Sequence, residues 1–117
     1  MTNELKEMLK NAGIDIDSVI ARFGGREELA VKFYGKFPED PNFSELKKNL
    51  EAGDVKASFI ASHSLKGVAG NLGMVELFDK NNVVVEALRA GNLEPAKEGF
   101  PDVETAYNKV IEVIKKF

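Results

Sequence analysis

Apolar residues recur at intervals of three and four along nearly the whole chain, the spacing of one face of an α-helix. Leu5, Met8, Leu9 and Ala12 predict a short first helix that Gly13 ends. Asp15 stands where it can cap a second short helix carrying Ile16, Val19, Ile20 and Phe23, and Gly24-Gly25 stops it. From Arg26, the stripe Leu29, Ala30, Phe33, Tyr34 and Phe37 marks a stronger helix. Pro38 and Pro41 interrupt the pattern, because each lacks an amide donor and restricts the residue before it. Phe43, Leu46 and Leu50 restart it, and Ala52-Gly53-Asp54 reads as a turn followed by an N-cap.

The next helix is expected from about Val55 to Leu72, with Val55, Ser58, Ser62, Leu65, Ala69 and Leu72 on its inward face. Gly73 permits a tight corner. Met74, Leu77, Phe78, Asn81, Val84, Val85 and Leu88 then follow at helical spacing. The run Val83-Val84-Val85 has β-propensity, but the wider period and the continuation Glu86-Ala87-Leu88-Arg89 favour a helix. Gly91-Asn92 ends that element. A last helix is expected from near Pro101, a favourable first-turn residue, with Val103, Tyr107, Val110, Ile111 and Ile114. Helices of this length joined by short turns predict an all-α fold, an antiparallel bundle.

Composition narrows the chemistry. The 117 residues suit a single domain, 1–117, with no repeat or flexible linker to divide it. The chain has no cysteine, which excludes disulfides, thiolate nucleophiles and cysteine-held metal centres. One histidine excludes multi-histidine metal sites and leaves only a carboxylate site for a hard cation open; no metal ligands are assigned. The net charge of −3 speaks against nucleic acid and anionic membranes as partners. A charged N-terminus without a signal-peptide core makes the cytoplasm the expected location. No apolar run approaches the roughly 18–20 residues that span a bilayer.

The remaining candidate is His63. On a helical wheel it falls roughly 130° from the centre of the apolar stripe, beside Lys56, Phe59, Ile60, Lys66, Gly67 and Gly70. A lone histidine is ordinarily a core or surface residue, but its outward position argues against the core. Two glycines inside a helix, each costing roughly 1 kcal/mol relative to alanine, argue against an incidental surface position. Gly67, one turn beyond His63, leaves the imidazole open to close approach. For Gly70, access and tight packing of a neighbouring helix are equally good readings. Lys66, three residues on, can attract and steady an anionic group carried on the histidine. Phe59 and Ile60 can form an apolar docking rim or pack at the edge of the bundle, and Lys56 is a second basic candidate.

Ala61-Ser62-His63-Ser64-Leu65-Lys66-Gly67, followed by Asn71-Leu72-Gly73, resembles the motif of the histidine phosphotransfer (HPt) domain family. Phe43, Leu46, Leu50-Glu51-Ala52-Gly53-Asp54 and Val85-Glu86-Ala87-Leu88-Arg89 are similar to the flanking helices of standalone bacterial members. The resemblance covers roughly residues 15 to 115. It implies an antiparallel four-helix bundle with short accessory N-terminal helices. It also implies that His63 is phosphorylated, that Lys66 stabilises the phosphoryl group and that Gly67 provides steric access. Lys56, Phe59, Ile60 and Gly70 would lie on the partner-binding face. Asn81 and Asn82 depart from the family, which has small or apolar residues there.

The implied partners are receiver domains of response regulators and a sensor or hybrid histidine kinase. A monomer is expected because the apolar stripes of the bundle can satisfy one another, with a dimer through an exposed stripe on the first helix as the alternative. No cofactor is implied, Mg²⁺ belonging to the receiver. The chain has no Walker-type or kinase glycine loop, and Gly67, Gly70 and Gly73 follow no strand, so intrinsic kinase activity is not expected. A non-phosphorylated helical adaptor is the alternative. A hydrolase using Glu27/Glu28 or Glu39/Asp40 is weaker, because those residues sit at helix ends, where capping and solvation explain them.

Overall fold

A computed structural model describes all residues 1–117. It is all-helical: α1 (Asn3–Asn11), α2 (Ile16–Arg22), α3 (Glu27–Lys36), a 3₁₀ turn (Phe37–Glu39), α4 (Asn42–Ala52), α5 (Val55–Asn71), α6 (Val75–Arg89) and α7 (Leu93–Ile114). The expected caps form. Asp15 accepts from the Ser18 amide at 3.2 Å and Asp54 from the Ala57 amide at 3.0 Å, each satisfying a first-turn donor. Val83, Val84 and Val85 are helical, as the wider period indicated.

The largest helix–helix contacts are α4 with α5, α5 with α6 and α6 with α7, and α4 also meets α7. Leu46, Leu50, Leu65, Leu77, Val84, Val103 and Val110 fill the space between them. An aromatic ladder joins α4 to α7. Phe43 stacks on Tyr107 at 3.9 Å between ring centroids and on Phe100 at 5.5 Å.

The last helix differs from expectation. It begins at Leu93, and Pro101 lies inside it rather than in its first turn. The apolar spacing continues upstream through Leu93, Ala96 and Phe100, with Ala96 buried and Phe100 against Phe43. A mid-helix proline costs about 3 kcal/mol through one lost hydrogen bond and a ring clash. Burial of that extra apolar face offsets the penalty, and the Pro101 ring itself is exposed.

The N-terminal helices cover the corner between α5 and α6. Gly73 turns that corner at φ +63°, and a Cβ there would lie 2.6 Å from Val19 Cγ2 and 2.8 Å from the Asp15 carbonyl oxygen. The bare backbone lets the segments meet: the Asp15 amide donates to the Gly73 carbonyl at 2.8 Å, and Ile14 pairs with Met74 in an isolated antiparallel bridge. Arg22 Nη1 donates to the carbonyls of Gly70 (3.1 Å) and Asn71 (2.9 Å), while the buried Tyr34 hydroxyl donates to that of Leu72 (2.9 Å). Three carbonyls at the end of α5, where helical partners run out, are thus satisfied by side chains from α2 and α3.

Candidate functional site

α5 presents two unlike faces. Ser58, Ala61, Ser62, Leu65 and Ala69 are buried, whereas Lys56, Ile60, His63, Ser64 and Gly67 are exposed. His63 therefore stands on the exposed outer face of a long helix, as its wheel position indicated. Ile60 is 58% exposed, a large apolar side chain left in water one turn from the imidazole. A Cβ built on Gly67 would meet nothing within 4 Å. No packing demand inside the chain explains that glycine, which lies one turn beyond His63 on the same exposed face.

The other positions separate. Phe59 is half-buried, with its ring 5.7 Å from the imidazole. On its other side, the Arg89 guanidinium of α6 lies 5.1 Å from the Phe59 ring centroid. Lys66 is half-buried on the α6 side, its ammonium 5.4 Å from the centre of the Phe78 ring. A Cβ at Gly70 would lie 3.4 Å from that same Phe78 ring, so the packing reading fits Gly70 better than the access reading. Lys56 is exposed two turns before His63. Lys56, Lys66 and Arg89 make the surroundings of the imidazole basic, although Arg89 also pairs with Glu86 at 3.3 Å.

Arg89 and Asn81 are the neighbours that sequence reasoning missed. Asn81 is completely buried and its Nδ2 donates to the Ser62 carbonyl at 2.8 Å, immediately before His63. Helical spacing identifies which residues share a face of one helix. It carries no information on which residues of the next helix stand opposite; the signal at Asn81 is a polar residue in an apolar spacing, which marks burial but not its partner on α5.

A cavity of about 580 Å³ lies elsewhere, where Phe23, Phe33 and Phe37 face Val68 and Leu72, and His63 does not line it. No group of three or more His, Asp or Glu side chains is arranged to hold a metal ion. No helix is long and apolar enough to cross a membrane. An exposed imidazole on a basic, partly apolar face outside any cavity described suits chemistry with a macromolecular partner better than capture of a small substrate in a pocket.

A family model for the Hpt domain matches residues 36–112, more than half of the chain. The chain belongs to the Hpt domain family. Membership means phosphotransfer in two-component signalling at the level of the family. The Hpt match takes in α4, α5, α6 and nearly all of α7, and it starts after most of α3, so α1 and α2 lie outside it. No curated protein and no solved structure matches the chain.

Proposed function

We propose that this Hpt domain carries a phosphoryl group on His63 between receiver domains of a two-component relay. In this reading α4 to α7 form the antiparallel four-helix bundle and α1 to α3 are accessory. The observation that carries the proposal is the exposed His63 with the uncrowded Gly67 one turn away. The neutral imidazole directs a ring-nitrogen lone pair at the phosphorus of a receiver's aspartyl phosphate, in line with the leaving oxygen. A P–N bond forms as the P–O bond breaks, and the aspartate carboxylate leaves with the electron pair. The proton on the other ring nitrogen passes to water, and reversal of these steps delivers the group to another receiver or back.

Such transfers depend on alignment and charge stabilisation more than on covalent help, so one presented imidazole suffices. The receiver supplies its aspartate and Mg²⁺. Lys66 reaches the phosphoryl oxygens by swinging its flexible stem away from Phe78, giving up a contact worth about 0.5–1 kcal/mol for a charge-assisted one. Ile60 and the edge of Phe59 supply an apolar rim for docking, with Lys56 beside it. The protein acts as a cytoplasmic monomer without kinase activity, and a sensor or hybrid kinase feeds the relay.

Incubation with a receiver domain charged by acetyl phosphate tests this reading. Wild-type protein is expected to acquire acid-labile, base-stable phosphate, and His63→Gln to acquire none. Transfer that persists in His63→Gln would refute it. Binding to receivers without transfer from any of them would favour the adaptor.

A further inference from the structure

The fold completely buries three polar side chains, Ser58, Ser62 and Asn81. Ser58 and Ser62 lie one turn apart on the inward face of α5, and Asn81 reaches Ser62 from α6. A carbonyl can only accept, so the Asn81 amide must turn its NH₂ group toward Ser62. Its Oδ1 is then buried without a donor, as is Ser58 Oγ. A half-satisfied amide in a core is a liability, and a leucine of similar volume would pack there without it. Stability alone does not account for asparagine at this position.

The site of the bond is informative. Ser62 directly precedes His63, and in an α-helix its carbonyl also receives the amide of residue 66. Asn81 thus ties α6 to the turn that carries His63 and Lys66. The hydrophobic effect is non-directional, whereas a hydrogen bond has direction and adds an angular constraint to the packing of the two helices. The tip of a side chain lies roughly 6 Å from its helix axis, so a rotation of about 10° displaces an imidazole by about 1 Å. A displacement on that scale can slow a transfer that needs alignment on the order of a hundredfold.

We propose that Asn81 is a positioning residue for phosphoryl transfer: its bond to the Ser62 carbonyl sets the rotation of α5 that presents His63 to a docked receiver. The inference rests on His63 as the phosphorylated residue. Asn81→Leu and Asn81→Ala are to be compared with wild type using two phosphoryl donors. One is phosphoramidate, a small donor that can approach an imidazole from many directions. The other is the receiver domain that, in a panel charged with acetyl phosphate, transfers fastest to wild type. Urea denaturation establishes that each variant folds.

With phosphoramidate both variants are expected to match wild type within about twofold. With the receiver, the maximal rate is expected to fall about tenfold or more. The half-saturating receiver concentration should change less than the rate, because the variants keep the side chains of Phe59 and Ile60, although both lie on α5 and turn with it. Receiver transfer within about twofold of wild type would overturn the inference. So would equal slowing with both donors, a change confined to half-saturation, or failure of both variants to fold. His63→Gln, run with phosphoramidate in parallel, separates the two levels: labelling that persists in that variant defeats the assignment of His63 itself, whatever Asn81 does.

Discussion

Tyr34→Phe removes one oxygen atom from the junction between the N-terminal helices and α5. The ring is completely buried and its hydroxyl donates to the Leu72 carbonyl at 2.9 Å, while Phe117 meets the ring edge-on at 5.9 Å. Phenylalanine keeps the ring and the aromatic contact, leaving the buried Leu72 carbonyl without the side-chain donor that satisfied it. Removing one partner of a buried pair costs about 1–3 kcal/mol. For a chain of this size that corresponds to a fall in Tm of roughly 4–12 °C. Urea unfolding followed by far-UV circular dichroism should show a lower midpoint with an unchanged slope.

Alkaline pH supplies an independent check on the same variant. Burial, helped by the charge of Asp15 and opposed by Arg22, pushes the Tyr34 phenol well above the ordinary tyrosine range. An acid whose folded pKa is raised contributes its full stability below the unfolded value, about 10, and loses it as pH rises further. Wild type should therefore weaken above pH 10, with the stability gap to Tyr34→Phe narrowing as it does. Tyr107, also pushed up by burial and then by Asp40, is common to both proteins and cancels in the comparison. A variant as stable as wild type at pH 7, or a gap that stays constant to pH 11, would refute the reasoning.

Gly67→Ala should raise stability by about 0.5–1 kcal/mol in urea titrations, since the new methyl meets nothing and the helix gains propensity. Gly67→Val should fold but accept phosphate from a receiver on the order of tenfold more slowly in single-turnover assays, by obstructing approach to the imidazole. Lys66→Ala should lower phosphorylation or shorten the phosphohistidine lifetime by several-fold to about tenfold, measured by loss of labelled phosphate; unchanged values for both would remove Lys66 from the mechanism. Gly73→Ala should destabilise by about 2–4 kcal/mol, because its Cβ would collide with the Asp15 backbone at a positive φ, and calorimetry would measure it.

Much of this architecture is legible in the sequence. Apolar spacing located every helix, and the glycines and prolines between them marked the stops, because those residues act on the backbone locally. The exposed setting of His63 followed from the wheel alone. The start of α7 was misplaced because a rule for Pro101, itself local and usually sound, opposed an apolar spacing that already began at Leu93. Tertiary burial of Ala96 and Phe100 outweighed it. Gly70 was ambiguous because its neighbour, Phe78, comes from a different helix. Asn81, Arg22 and Tyr34 were out of reach for the same reason: their partners are 19 to 49 residues away in sequence.

The grip of Arg22 and Tyr34 on the last carbonyls of α5 bears on how the chain holds together as a thermodynamic unit. Residues 1–35 share one hydrophobic core with the family-matching region and are held against it at the high effective concentration that a covalent connection provides. Their docking and the folding of the remainder are linked equilibria, so the intact protein should melt in one transition although its N-terminal helices lie outside the family match. Supplied as a separate peptide, the same residues would lose the advantage of the tether and would have to reach comparable occupancy by concentration alone.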